Sequence, residues 1–63
     1  MRIIANRKTT YGHLIQLTFE KRGVYRVQIW TQDNLDWDWI EGTEEECRQI
    51  YELCEHIDDM IKT

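Results

Sequence analysis

The sequence predicts an α+β domain: an antiparallel β-meander of three strands, with residues 36–40 as an optional fourth, packed on one face by a single C-terminal α-helix. Three observations carry that prediction. Residues 14–20 and 24–31 alternate apolar and polar side chains with a period of two, as half-buried strands do. The loops on either side of residues 14–20 each contain a glycine suited to a tight turn. Residues 44–62 repeat apolar residues at helical spacing behind a capping sequence.

The central hairpin sets the register. Ile15, Leu17 and Phe19 alternate with polar residues, and so do Tyr25, Val27 and Ile29. A three-residue Lys21-Arg22-Gly23 loop, with Gly23 left-handed, pairs Glu20 with Val24, Phe19 with Tyr25, Leu17 with Val27 and Ile15 with Ile29. All the strong apolar residues then share one face, which a two-residue loop would scramble. The same rule at Thr10-Tyr11-Gly12 adds a first strand over about residues 2–8. It pairs Arg2 with Glu20, Ile3 with Phe19, Ala5 with Leu17 and Arg7 with Ile15.

Residues 36–40, Asp-Trp-Asp-Trp-Ile, fit a fourth strand in either of two registers. A two-residue Asp33-Asn34 turn sends Trp37 and Trp39 to the face away from the helix. A loop one residue longer turns both indoles inward and leaves Asp36 and Asp38 in water. The second is favoured, because burying indoles stabilises while burying carboxylates is costly.

Thr43-Glu44-Glu45-Glu46 opens the helix as a capping box, with three acids at the positive end of the helix dipole. Cys47, Ile50, Tyr51, Cys54, Ile57 and Ile61 form its apolar stripe, while Arg48, Glu52, Glu55 and Asp59 face water. The expected core joins this stripe to Ile3, Ala5, Ile15, Leu17, Phe19, Tyr25, Val27 and Ile29.

Composition narrows the function. The chain has 63 residues, 41% of them hydrophobic, which is enough for one domain spanning residues 1–63. A domain of about 60 residues buries only about 60% of its unfolded surface, so an elaborate pocket is not expected. No apolar run nears the roughly 18 residues of a membrane span, and no signal pattern opens the chain. Cys47 and Cys54 stand about 10 Å apart along one helix, beyond the ~7 Å reach of a disulfide. They read as core thiols in a cytoplasmic protein.

No constellation points to catalysis, a cofactor or a metal, so the chain reads as a non-enzyme. Asn34, Asp36, Asp38 and Glu45 have an EF-hand-like spacing, but Trp39 occupies the position that needs glycine. His13 falls at a hairpin end and His56 on the acidic helix face, and both read as solvated. The thiols lie on the core stripe without an activating cation.

Charge is divided by halves. Residues 1–31 carry Arg2, Arg7, Lys8, Lys21, Arg22 and Arg26 against Glu20 alone, whereas residues 32–63 carry 11 acids against Arg48 and Lys62. The net is −4. Such asymmetry hints at a charged partner. The favoured reading is a small accessory protein of bacterial or phage type that binds a basic, or nucleic-acid-binding, protein. Its contact residues would be Glu44, Glu45, Glu52, Glu55 and Asp59 on the helix, Leu14 and Trp30 on the outer sheet face, or both sets.

The alternative is nucleic-acid binding through the outer sheet face, with Arg2, Lys8, Arg26 and Gln28 as contacts. The order of three strands and a helix resembles, in topology, the arm-binding domains of phage integrases and a family of plant DNA-binding domains. That resemblance implies a sheet laid in the major groove. The net acidity opposes it. A third reading, a homodimer through the outer face, would bury Leu14 and Trp30 and compensate for the small core.

Overall fold

The structure, a computed structural model, describes residues 1–62; Thr63, the last residue of the predicted domain, lies outside them. Strands β1 (Arg2–Lys8), β2 (Leu14–Lys21), β3 (Val24–Thr31) and β4 (Asn34–Glu41) form one antiparallel sheet in the order β1-β2-β3-β4. Helices α1 (Glu44–Glu52) and α2 (Cys54–Lys62) follow. The predicted α+β meander is present with all four strands. The fourth strand departs from the three-stranded order on which the likeness to DNA-binding domains rests.

The central hairpin has the predicted register, with Ile15 opposite Ile29, Leu17 opposite Val27 and Phe19 opposite Tyr25. Gly23 adopts φ 78°, the left-handed conformation its loop position demands. Its closing pair is Lys21–Val24, with Glu20 skipped by a bulge, where the sequence predicts Glu20–Val24.

β1 keeps Ala5 opposite Leu17 and Arg7 opposite Ile15, and then departs from expectation. A bulge between Ile3 and Ala5 sets Ile3 opposite Thr18 and Arg2 opposite Phe19, so the Arg2–Glu20 and Ile3–Phe19 pairs do not form. The physical reason is packing. The extra residue lets Ile4 reach the core and leaves Ile3 46% exposed on the other face. An edge strand accommodates such a bulge readily.

In β4 both tryptophans fall on the helix-covered side, Trp37 opposite Ile29 and Trp39 opposite Val27, but only Trp37 packs against the core and Trp39 stays 40% exposed. The mechanism differs from a longer loop. A two-residue Gln32-Asp33 turn closes on the Thr31–Asn34 pair, and a bulge at Asp36 then reverses the faces. Gln32 occupies φ 54° without being glycine, which costs on the order of 1–2 kcal/mol. The two indoles stack at 5.8 Å between centroids.

Thr43 caps α1, its hydroxyl oxygen accepting from the Glu46 amide at 3.2 Å. The single predicted helix is interrupted at Leu53, whose amide donates to the carbonyls of Ile50 (3.0 Å) and Gln49 (3.3 Å), a local tightening. Beside it, Arg7 Nη2 donates to the Tyr51 carbonyl at 2.9 Å. A side chain inserted into the helical ladder in this way is a recognised cause of a kink.

The core is Ile15, Leu17, Val27, Ile29, Cys47 and Cys54, all fully buried, with Ile4, Ala5, Tyr25, Trp37, Ile50, Tyr51 and Ile57 packed around them. Three expected members are missing, among them Phe19, which is half-buried under the Arg2 guanidinium and outside this cluster. Ile3 is displaced by the bulge, and Ile61 is exposed because α1, rather than α2, makes most of the contact with the sheet.

Candidate functional site

The three pairings fix what each face of the sheet presents. On the helix-covered face the rows are Arg7–Ile15–Ile29–Trp37, Ala5–Leu17–Val27–Trp39 and Arg2–Phe19–Tyr25–Glu41. The outer face carries the alternate rows. Lys8–Leu14–Trp30–Leu35 lies at one end, Asn6–Gln16–Gln28–Asp38 in the middle, and Ile3–Thr18–Arg26–Ile40 at the other end. The outer face thus has one apolar band, Leu14–Trp30–Leu35, an amide-rich band in the middle, and a third row in which Thr18 and Arg26 separate Ile3 and Ile40 at the two sheet edges.

Leu14 and Trp30, the residues the sequence singles out, are adjacent and half-buried there. The bulges add members that sequence reasoning misses. Leu35 and Ile3 arrive on this face, 44% and 46% exposed, and Ile40 stands at 52%. Ile4, expected outside, is in the core instead. Two donors on this face, Trp30 Nε1 and Arg26 Nε, are buried and have no hydrogen-bond partner among the described residues.

The four nucleic-acid candidates are not grouped as expected. Arg2 leaves the outer face with the β1 bulge and lies over the Phe19 ring, 5.4 Å from its centroid. Arg26 is on the outer face but pairs with Asp38 at 3.4 Å. Gln28 is largely buried, and Lys8 is exposed at the β1 edge.

The helix acids are partly committed within the chain. Glu44 accepts from Arg48 at 2.9 Å across one turn. Glu55, expected in water, is half-buried and pairs with Arg7 at 3.2 Å, with Thr10 also donating to it. Asp59 hydrogen-bonds Tyr11 and, by that bond and its charge, raises the Tyr11 phenol above its ordinary value. Glu45 and Glu52 are exposed.

His13 departs from the solvated reading. It is buried, and its Nδ1 lies 2.7 Å from Asp58 Oδ1 on α2, whose carboxylate is fully buried. Asp58 Oδ2 has no partner among the described residues. The pair ties α2 to the segment between β1 and β2, where the Thr9 hydroxyl oxygen accepts from the amides of Tyr11 and His13. His13 also borders an open depression of about 340 Å³ lined by Tyr11, Gly12, Thr31, Gln32 and Asn34. His56 is exposed, as expected.

Cys47 and Cys54 are free and fully buried. Burial pushes both thiols up, Cys54 to about 11, with Arg7 drawing it weakly the other way. Such thiols are poor nucleophiles near neutral pH. The EF-hand-like spacing falls on β4, an extended strand rather than a loop. No group of three or more His, Cys, Asp or Glu able to hold a metal occurs among the described residues. No helix among them is long and apolar enough to cross a membrane.

Comparisons with protein-family models, with curated proteins and with solved structures each give no match.

Proposed function

We propose that this chain is a small non-enzymatic protein-interaction module whose contact surface is the outer face of its sheet. The observation that carries the reading is the apolar band Leu14–Trp30–Leu35, with Ile3 and Ile40 exposed at the two sheet edges, on the face opposite the helices. Contiguous exposed apolar surface that includes tryptophan is characteristic of interfaces. The helix acids are the weaker half of the original expectation, since Glu44, Glu55 and Asp59 already have partners in the chain. The buried free thiols suit a reducing, cytoplasmic setting.

Photo-crosslinking in cells tests this. A photoreactive residue at Leu35 or Ile40 should give a discrete protein adduct, and the same residue at Glu45 or Glu52 should not. Adducts from the helix positions alone would move the site to the helix. Nucleic-acid binding is the second reading, supported by Lys8 and Arg26 on the outer face. It requires tryptophan quenching by duplex DNA that weakens steeply with added salt.

A further inference from the structure

We propose that the protein occupying the outer face is a second copy of this chain, seated sheet to sheet about a twofold axis that runs along the strands between β2 and β3. The inference rests on the reading of that face as a protein contact. Its argument is the self-complementarity of the three rows under this one symmetry operation.

A twofold axis lying in the interface and parallel to the strands places β1 over β4 of the second copy and β2 over its β3. Each row then meets itself in reverse. Leu14 faces Trp30 of the second copy, and Ile3 faces its Ile40. Gln16 faces Gln28 of the second copy, an amide already largely buried in its own chain, so a polar row meets a polar row. Asn6 faces Asp38 of the second copy. The apolar Leu14–Trp30–Leu35 band meets itself, the polar band meets the polar band, and in the third row Thr18 meets Arg26 of the second copy between the two isoleucine pairs.

Charge selects this axis over its alternative. On the outer face β1 carries Lys8 and no acid, whereas β4 carries Asp38 and no base; Arg2, Arg7 and Glu41 lie on the helix-covered face. The strand-parallel axis sets the basic edge over the acidic edge twice. An axis across the strands would set β1 over β1 and β4 over β4, bringing Asp38 against Asp38 and laying apolar Leu14 on Thr18. Like charges placed opposite one another are a cost.

The area is modest and sets the strength. Four strands about 4.8 Å apart and seven residues long at about 3.3 Å per residue give a face of roughly 19 by 23 Å. Two such faces bury on the order of 870 Å², somewhat under the lower bound for a stable specific association. The expected dimer is therefore weak and reversible, with a dissociation constant in the micromolar range.

Sedimentation equilibrium of the full chain from about 1 µM to about 1 mM tests the proposal, since that range brackets such an association. The expected result is a reversible monomer–dimer equilibrium. Ile40→Lys, at a position exposed in the single chain, should weaken it at least about tenfold while leaving the helix circular dichroism unchanged. Asn6→Lys should tighten it about two- to tenfold by facing Asp38 of the second copy, and Asn6→Asp should loosen it.

A chain that stays monomeric at about 1 mM overturns the proposal. So does a dimer indifferent to Ile40→Lys, or one loosened by Asn6→Lys, which would signal the other axis. The photo-crosslink separates this failure from that of the broader reading. An adduct at Leu35 to a different protein leaves the outer face an interface and removes the second copy from it. No adduct at all removes both.

Discussion

Arg7→Met removes one guanidinium that joins the sheet to the kink between the two helices, while keeping most of the aliphatic stem. Its Nη2 donates to the Tyr51 carbonyl at 2.9 Å, its Nη1 meets Glu55 at 3.2 Å, and it lies 5.0 Å from the Tyr51 ring centroid. A hydrogen bond from a charged group contributes about 1.5–3 kcal/mol. Arg7 and Glu55 are 35% and 40% exposed, so their ion pair is screened and adds less than about 1 kcal/mol. The ring contact adds about 0.5–1 kcal/mol.

Because these contacts share one group they do not simply add, and the expected loss is about 2–3 kcal/mol. A chain of 63 residues has a total stability of roughly 3–9 kcal/mol, so this is a large fraction. At about 4–8 °C per kcal/mol, Tm should fall by roughly 10–20 °C. Urea denaturation of the wild type, Arg7→Met, Glu55→Gln and the double variant checks both size and origin. The Arg7–Glu55 coupling should stay below about 1 kcal/mol, with the rest carried by the Tyr51 carbonyl. A total loss under about 0.5 kcal/mol, or a coupling that accounts for all of it, refutes the clamp.

Three other outcomes follow from the same structure. Asp58→Ala leaves a buried imidazole without its hydrogen-bond partner and should cost about 1–3 kcal/mol by denaturant titration, with Asp58→Asn milder; a loss under about 0.5 kcal/mol would mean the His13 pair holds nothing. Gln32→Gly relieves a positive φ and, net of the looser unfolded chain, should raise stability by about 0.5–1 kcal/mol, whereas Gln32→Val should lower it; equal melting curves would deny the strain. Cys54 keeps its proton in the folded state up to about pH 11, against 9.0 for the ordinary thiol. The unfolded chain therefore ionises first, and its stabilising effect on folding, complete below about pH 9, is lost as pH rises to about 11. The loss is on the order of 2–3 kcal/mol, and Cys54→Ala should flatten that slope; an unchanged slope contradicts it.

Elements with an unbroken period were legible in the sequence. Ile15, Leu17 and Phe19 against Tyr25, Val27 and Ile29 leave one register in which all apolar residues share a face, and the structure has it. Thr43 announces the start of α1 in the same local way. The bulges at Ile4 and Asp36 were not legible, because a bulge reverses facing without changing composition, and its cost is decided by what the core can accept. They decided the outer face, exchanging Ile4 for Ile3 and bringing in Leu35.

The break at Leu53 was hidden for a related reason, since Arg7 approaches from 44 residues away in sequence. A signal for the buried pair did exist. Asp58 stands four residues after Cys54, on the helix's core-facing side, where a carboxylate needs a partner.

Hydroxyl-radical footprinting of the chain at its natural abundance in cell extract tests the central claim, that the outer sheet face is the covered surface. The free chain itself supplies the reference, because Ile3, Leu35 and Ile40 are exposed to much the same degree as Leu53 on the helix side. The expected result is oxidation of Ile3, Leu35 and Ile40 well below that of the purified dilute chain, with Leu53 unchanged. Oxidation of all four in the proportions of the dilute chain, or protection confined to Leu53, would contradict it.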